Sequence, residues 1–156
     1  MKKHLTLLFL LFSVTTLFSQ TTLTAKVIGI KDGDTVVVLD SLNHQTTLRL
    51  AEVDCPEKSQ PFGTKAKQFT SNQIYLKTIK YVVTDTDIYG RSIAMIYYHE
   101  DNKYLSAEII KAGMGWHYKR YSTSKELALF EDNAKKNKRG LWIDNNPIEP
   151  FEWRKQ

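Results

Sequence analysis

Apolar and polar residues alternate with a period of two in several short runs along the chain. The segment "TLTAKVIGIKDGDTVVVL" predicts two β-branched strands joined by an Asp-Gly turn, and "TTLRLAEV" predicts a third strand after the polar break "DSLNHQ". Proline at position 56 ends this third run, because proline has no N–H to donate to a sheet. The runs "TIKYVV" and "SIAMIYY" predict a fourth and a fifth strand. Three strands in direct succession favour an antiparallel meander.

Helical spacing follows the third strand. A helix is predicted from about Phe62 to Leu76, with Ala66, Phe69 and Leu76 on its inward face. Gln73 interrupts this apolar face. The segment "LSAEIIKAG" predicts a second, shorter helix that ends before a glycine at position 113.

The third predicted helix has clear signals at both ends. Thr123 and Glu126 have the spacing of a capping box, and lysines crowd the other end before Gly140. The apolar residues of this third helix are Leu127, Phe130 and Ala134. Five predicted strands with interspersed helices together predict an α+β domain.

The first twenty residues are interpreted separately from the fold. Lys2 and Lys3 precede the apolar run "LTLLFLLFSVTTLF", which is followed by Ser19 and Gln20. This order is typical of a secretory signal peptide, and the run is short for a membrane span. We therefore expect a signal peptide over residues 1–20 and a secreted or periplasmic mature chain, the alternative being a retained N-terminal anchor.

Composition adds three constraints to this picture. A chain of 156 residues, 42% of them hydrophobic, suffices for one domain with a real core. The single cysteine, Cys55, excludes an intrachain disulfide. The formal net charge of +5 falls to about +3 without Lys2 and Lys3, which is only a mild preference for anionic partners. We place the domain at residues 21–144 and expect the tail at 145–156 to dock onto it through Phe151 and Trp153.

Three polar clusters lie at the ends of predicted strands: "DGDT", "RLAEVDCPE" and "DIYGR". Taken singly, each has an ordinary structural explanation, since Asp-Gly and Tyr-Gly form turns and charged residues at a strand end form surface ion pairs. In combination they supply the groups that phosphodiester cleavage requires. Asp34 and Asp54 offer hard oxygen ligands for Ca²⁺, Glu57 can orient or deprotonate a water, and Arg49 and Arg91 can donate to phosphoryl oxygens. The loop histidines lack metal-ligand spacing: His44, His99 and His117.

The strings "DGDTVVV", "LRLAEVDCPE", "DIYGRSIAMI", "KAGMGW" and "KKNKRGLW", in this order, resemble the staphylococcal nuclease-like, or thermonuclease, family. The resemblance runs from about Ala25 to Trp142, and "NPIEPFEWR" is similar to the tail of many bacterial members. It implies an OB-fold, a five-stranded antiparallel β-barrel with three α-helices. Matched position by position, it implies catalytic roles for Arg49, Glu57 and Arg91 and calcium ligation by Asp34, Asp54 and the backbone carbonyl of Cys55.

The resemblance also implies residues that bind substrate. Tyr89 matches a tyrosine near the nucleotide phosphate, and Tyr121 matches one that contacts the base or sugar. Lys119 replaces a neighbouring tyrosine. An alternative interpretation is that Tyr118 and Tyr121 only pack at the rim.

The function implied is a secreted, Ca²⁺-dependent nuclease. It would cut the P–O5′ bond of single-stranded or denatured DNA and RNA, leave 3′-phosphates, and act as a monomer without a stable protein partner. Two alternatives remain. One is a non-catalytic OB-fold module of the cell envelope that binds nucleic acid, and the other is a structural protein of the envelope in which the motifs only form turns.

Overall fold

The structure is a computed structural model that describes residues 21–156, so the predicted signal peptide lies outside the described residues. The strands are β1 (Thr22–Ile30), β2 (Thr35–Leu39), β3 (Gln45–Leu50), β4 (Val53–Asp54), β5 (Thr78–Thr86), β6 (Ser92–Tyr98), β7 (Lys103–Tyr104) and β8 (Trp116–His117). The helices are α1 (Gly63–Ile74), α2 (Leu105–Lys111), α3 (Lys125–Lys136) and α4 (Pro150–Trp153), and a 3₁₀ turn spans Gly140–Ile143.

The five long strands form a closed barrel. Antiparallel pairing runs in the order β3-β2-β1-β5-β6. The barrel closes through a parallel pairing of β3 with β6, in which Leu48 lies opposite Ser92 and Leu50 opposite Ala94. This five-stranded barrel with three main helices confirms the predicted OB-fold, and the closing pair is its one parallel contact within the described chain.

The barrel interior holds the core because alternate strand residues point inward. Helices α1 and α2 cover it with their apolar faces, and α3 packs against α2. Full burial of an aliphatic side chain contributes about 1.5–3 kcal/mol. The fully buried core residues include Val27, Val36, Leu48, Leu50, Ile74, Ile79, Ile96, Leu105, Ile109 and Ile110.

Helix α1 ends earlier than its apolar spacing predicts. Ile74 is its last residue and is buried, whereas Leu76 lies beyond the helix with φ of 60° and is 56% exposed. The amide of Leu76 donates to the carbonyl of Val27, so the chain leaves the helix to join β1. The prediction that Leu76 faces inward is therefore wrong, while Ala66 is buried and Phe69 packs against the core as expected.

Helix α3 starts one residue later than a capping box on Thr123 would require. Its N-cap is Ser124, whose hydroxyl accepts from the amide of Leu127 at 3.3 Å. The prediction of Thr123 as the cap is thus wrong by one position, although a side-chain hydroxyl caps the helix as expected. Leu127 and Ala134 are buried as predicted.

Within residues 21–156, none of the helices combines the length and apolar character that crossing a membrane requires.

Candidate active site

The site lies at one rim of the barrel, where three connections meet. Asp34 precedes β2, Arg49 lies on β3, and Asp54 lies on the short strand β4. The amide of Leu50 donates to the carbonyl of Asp34 at 2.8 Å, which ties the first connection to the second. Strand alternation places Leu48 and Leu50 in the core and so turns Arg49 to the opposite face.

Arg49 is the centre of the site and is almost fully buried, with a side chain only 12% exposed. Its Nη1 donates to the carbonyls of Leu50 and Val53, at 2.6 and 2.8 Å. Its Nη2 pairs with Asp54 Oδ1 at 3.0 Å and with Asp34 Oδ2 at 3.2 Å. Burial disfavours the charge of Arg49, but the two aspartates outweigh it and raise the pKa of the guanidinium. The guanidinium is therefore a fixed positive charge between two carboxylates.

Three carboxylates lie close to the Arg49 guanidinium, those of Asp32, Asp34 and Asp54. Burial, together with the nearby Asp34 carboxylate, raises the pKa of Asp54. Burial and Asp34 also raise the pKa of Asp32 to about 6. The amide of Cys55 donates to Asp34 Oδ2 at 2.7 Å, which fixes that carboxylate. Three carboxylates therefore share one poorly solvated corner, which is the electrostatic setting that favours a cation.

The donor set at this corner suits a hard divalent cation. Asp34 and Asp54 supply carboxylate oxygens, and Cys55 can supply its carbonyl, since any residue type provides one. No group of three or more histidine, cysteine, aspartate or glutamate side chains forms a ready metal cluster in the described part of the chain. Carbonyl and water ligands would therefore complete the coordination, as Ca²⁺ accepts. The Cys55 thiol itself is buried, and burial raises its pKa well above the usual value.

Glu57 lies in the loop after β4, with a side chain 37% exposed. Its amide donates to Gln60 Oε1, and the amide of Gln60 donates back to its carbonyl at 2.9 Å. A methyl group at Gly63 would overlap the carbonyl oxygen of Glu57, so the start of α1 packs directly against this loop. The backbone that carries Glu57 is therefore well fixed.

Arg91 comes to the same rim from the turn before β6. Its Nε donates to Asp87 Oδ2 at 2.6 Å, and its Nη1 lies 3.4 Å from the hydroxyl of Thr35. The same hydroxyl donates to Asp34 at 3.2 Å. Closure of the barrel thus brings Arg91 to the side of the site that Asp34 occupies, and the site holds all six residues predicted for catalysis and metal binding.

The predicted substrate-binding residues lie around this centre in two different settings. Tyr89 and Tyr121 are 79% and 76% exposed. The Tyr121 ring contacts that of Tyr118 edge-on, at 4.9 Å between centroids, and the Tyr118 ring lies 5.9 Å from the Arg49 guanidinium. Exposure suits stacking on a base and the edge contact suits rim packing, so both interpretations stand. Lys119, by contrast, pairs with the buried Glu131 at 2.7 Å.

One residue of the site was missed at the level of sequence. Arg154, directly after α4, pairs with Asp54 Oδ2 at 3.0 Å and with Glu57 Oε1 at 2.6 Å. The aromatic residues Phe151 and Trp153 indicated that the tail docks, but no local pattern indicates which side chain of a docked tail faces a site one hundred residues earlier. Asp32, the first residue of "DGDT", forms the turn expected for Asp-Gly by accepting from the amide of Asp34, and it is also a charged neighbour of the centre.

Glu131 connects α3 to the segment that carries Tyr118 and Tyr121. Its carboxylate is 1% exposed, accepts from the amide of His117, and pairs with Lys119 and Lys135. Burial raises its pKa, but the hydrogen bonds from both lysines outweigh burial and lower it. A lowered native pKa gives stability that is present above the ordinary value of 4.5 and is lost as pH falls through the native pKa.

We therefore expect Glu131→Gln to destabilise the protein by about 2 kcal/mol at neutral pH, the scale of a charged hydrogen-bond set. The difference from wild type should shrink as pH falls below 4.5. Urea unfolding across this pH range measures it, with the exposed Glu126→Gln as control. A difference that does not change with pH would contradict the ionised role of Glu131.

Comparison with known proteins supports what the geometry indicates. Residues 47–144 match the model of the family described as staphylococcal nuclease homologue. An "uncharacterized endonuclease" of Haemophilus influenzae is 42% identical over 152 residues, covering 97% of this chain and 84% of that protein. An "uncharacterized endonuclease" of Escherichia coli is 31% identical, covering 99% of this chain and 98% of the relative. A "micrococcal nuclease" of Shigella flexneri is 34% identical, covering 83% and 79%. The chain is thus a member of the staphylococcal nuclease homologue family.

Proposed function

We propose that this nuclease hydrolyses phosphodiester bonds of DNA and RNA in a Ca²⁺-dependent reaction. The observation that carries the proposal is the grouping of Arg49, Asp34 and Asp54 within salt-bridge distance, with Glu57 and Arg91 on the same rim. A fixed guanidinium beside two buried carboxylates can hold a phosphate and a hard cation side by side.

Each residue of the site has a distinct proposed role in phosphodiester hydrolysis. Asp34, Asp54 and the Cys55 carbonyl would hold the cation, which when bound polarises a phosphoryl oxygen. Glu57 would hold the attacking water and orient or deprotonate it. Arg49 and Arg91 would donate hydrogen bonds to the equatorial oxygens as negative charge develops there. By family resemblance, cleavage at P–O5′ would leave 3′-phosphate ends.

Single-stranded or denatured nucleic acid is the substrate that the rim favours. Tyr89 and Tyr121 present exposed rings on which unpaired bases could stack, and stacking is tolerant of sequence. Within a base-paired duplex those base faces are covered. The names of relatives, endonuclease and micrococcal nuclease, support nucleic acid as the substrate class.

The setting we propose for this activity is outside the cytoplasm. A signal peptide at residues 1–20 would export the chain to the periplasm or the medium. Because Cys55 is the single cysteine, the mature protein needs no disulfide in that compartment. We propose a monomer that needs no stable protein partner.

One observation favours a binding module instead. Arg49 already donates to two carbonyls and to the Asp54 carboxylate and forms an ion pair with Asp34, which would suit a purely structural guanidinium. On that view the rim would hold nucleic acid through Tyr89 and Tyr121 without cutting it. Cleavage and binding must therefore be measured separately.

Metal dependence is the direct test of the proposal. Protein that starts at Thr21 is expected to digest denatured DNA with Ca²⁺ and to stop when a chelator is added. Asp34→Asn and Asp54→Asn should each raise the Ca²⁺ concentration for half-maximal activity by about tenfold or more, because each removes one charged ligand.

The exposed Asp101→Asn is the matched control, since it removes one carboxylate far from the site. Calorimetric Ca²⁺ titration of the same variants gives affinity without relying on cleavage. Digestion that continues unchanged in chelator would refute the metal role, and binding of oligonucleotide without any cleavage would assign the protein to the binding-module class.

A further inference from the structure

The segment of residues 145–156 closes one side of the site. Pro150 is buried at the start of α4, and the carbonyl of Ile148 accepts from Gln60 Nε2 at 2.6 Å. The indole of Trp153 lies 3.4 Å from the hydroxyl of Ser59. Ser59 and Gln60 belong to the loop that carries Glu57, so tail and loop form one packed unit.

Arg154 extends from this unit into the carboxylate corner. Its Nη1 donates to Glu57 Oε1 at 2.6 Å and lies 3.4 Å from Asp54 Oδ1, while its Nη2 donates to Asp54 Oδ2 at 3.0 Å. A guanidinium is a rigid planar fork, so one side chain sets the position of both carboxylates. A carboxylate has about four lone-pair sites, which leaves Asp54 capacity for a metal ion.

The Glu57 carboxylate has no other hydrogen-bond donor among residues 21–156. Its Oε1 is bound by Arg154, and its Oε2 receives none from the described protein. The side chain is 37% exposed, so packing alone does not restrict its rotamers. Arg154 is therefore the group that holds Oε1 and leaves Oε2 free to bind a water.

We propose that Arg154 is a positioning residue that fixes Glu57 relative to Asp54. This inference rests on the proposed function, because it assigns Arg154 to the reaction through the water held by Glu57. Bridging the two carboxylates keeps that water next to the oxygen atoms that would hold the cation. Arg154 then contributes to the rate of the bound complex rather than to the capture of substrate.

The test is steady-state cleavage of a short single-stranded DNA by the protein from Thr21 onward. Arg154→Ala should lower kcat by about tenfold to a hundredfold with KM changed little, since small misplacement of a catalytic group has effects of this size. Arg154→Lys keeps the charge without the fork and should recover part of the loss. Lys155→Ala, which removes the adjacent charge paired with Glu152, is the control expected to cleave like wild type.

A double-mutant cycle with Glu57→Gln makes the test specific. If Arg154 acts through Glu57, the double variant should be no slower than Glu57→Gln alone. If the losses of kcat from Arg154→Ala and Glu57→Gln multiply in the double variant, the proposal is overturned. A kcat of wild-type size in Arg154→Ala would overturn it as well. Tighter Ca²⁺ binding with undiminished kcat in Arg154→Ala would instead identify Arg154 as a competitor of the cation and overturn the positioning role. Absence of cleavage by the wild type would refute the proposed function itself, which keeps the two failures distinct.

Discussion

Glu57→Gln is expected to lower kcat by about a hundredfold or more while Ca²⁺ affinity and oligonucleotide affinity are largely retained. The substitution keeps the size and the hydrogen-bonding reach of the side chain but removes its basic carboxylate. The loop should keep its conformation, because its backbone bonds to Gln60 and its contact with Gly63 do not involve the carboxylate.

The measurement pairs steady-state cleavage of a short single-stranded DNA with equilibrium binding of the same oligonucleotide. The exposed Glu100→Gln in the turn after β6 is the control, and circular dichroism checks that each variant is folded. A kcat of wild-type size in folded Glu57→Gln would remove Glu57 from the reaction and leave Arg154 with nothing to position.

Arg49→Ala is expected to lose both activity and stability. Loss of one preorganised donor to the developing charge lowers kcat by about a hundredfold or more. The same change removes the guanidinium that pairs with both Asp34 and Asp54 and leaves these carboxylates close together and poorly solvated. Breaking a buried ion pair in this way lowers the free energy of unfolding by about 3–5 kcal/mol. Added Ca²⁺ should restore more stability to this variant than to the wild type, because a cation relieves the repulsion between the aspartates.

Arg91→Ala separates the two effects. Arg91 is 32% exposed and pairs with Asp87 in its own turn, so its loss should reduce kcat on a similar scale with little change in stability. Urea unfolding with and without Ca²⁺, alongside cleavage, measures both variants. An Arg49→Ala protein as stable as wild type without Ca²⁺ would contradict the charge balance described for the site.

The barrel strands and helices were largely predictable because each follows from local periodicity. Alternation identified all five long strands. The segment before Gly113 and the apolar residues Leu127 and Ala134 identified α2 and α3. The errors occur where tertiary contact decides the outcome. Leu76 has the right spacing for α1 but is drawn out of the helix by its hydrogen bond to Val27.

The centre of the candidate site was predictable for a related reason. Asp34, Arg49, Glu57 and Arg91 lie next to strand ends, and strand ends of a closed barrel meet at its rims. Lys119 and Arg154 were not predictable in the same way. Lys119 forms an ion pair with Glu131, which α3 carries. Arg154 reaches the site only because the C-terminal tail docks beside it, although Arg154 and Asp54 are one hundred residues apart in sequence.

The parallel contact between β3 and β6 has a consequence for how the protein folds. Arg49 of β3 pairs with Ile93 of β6, and Arg91 directly precedes β6. Arg49 and Arg91 therefore approach each other only when the barrel closes. Such non-local pairing is slow to form because the intervening chain must first be ordered. On refolding, catalytic competence should therefore return with the latest structural phase and not with the early formation of helices.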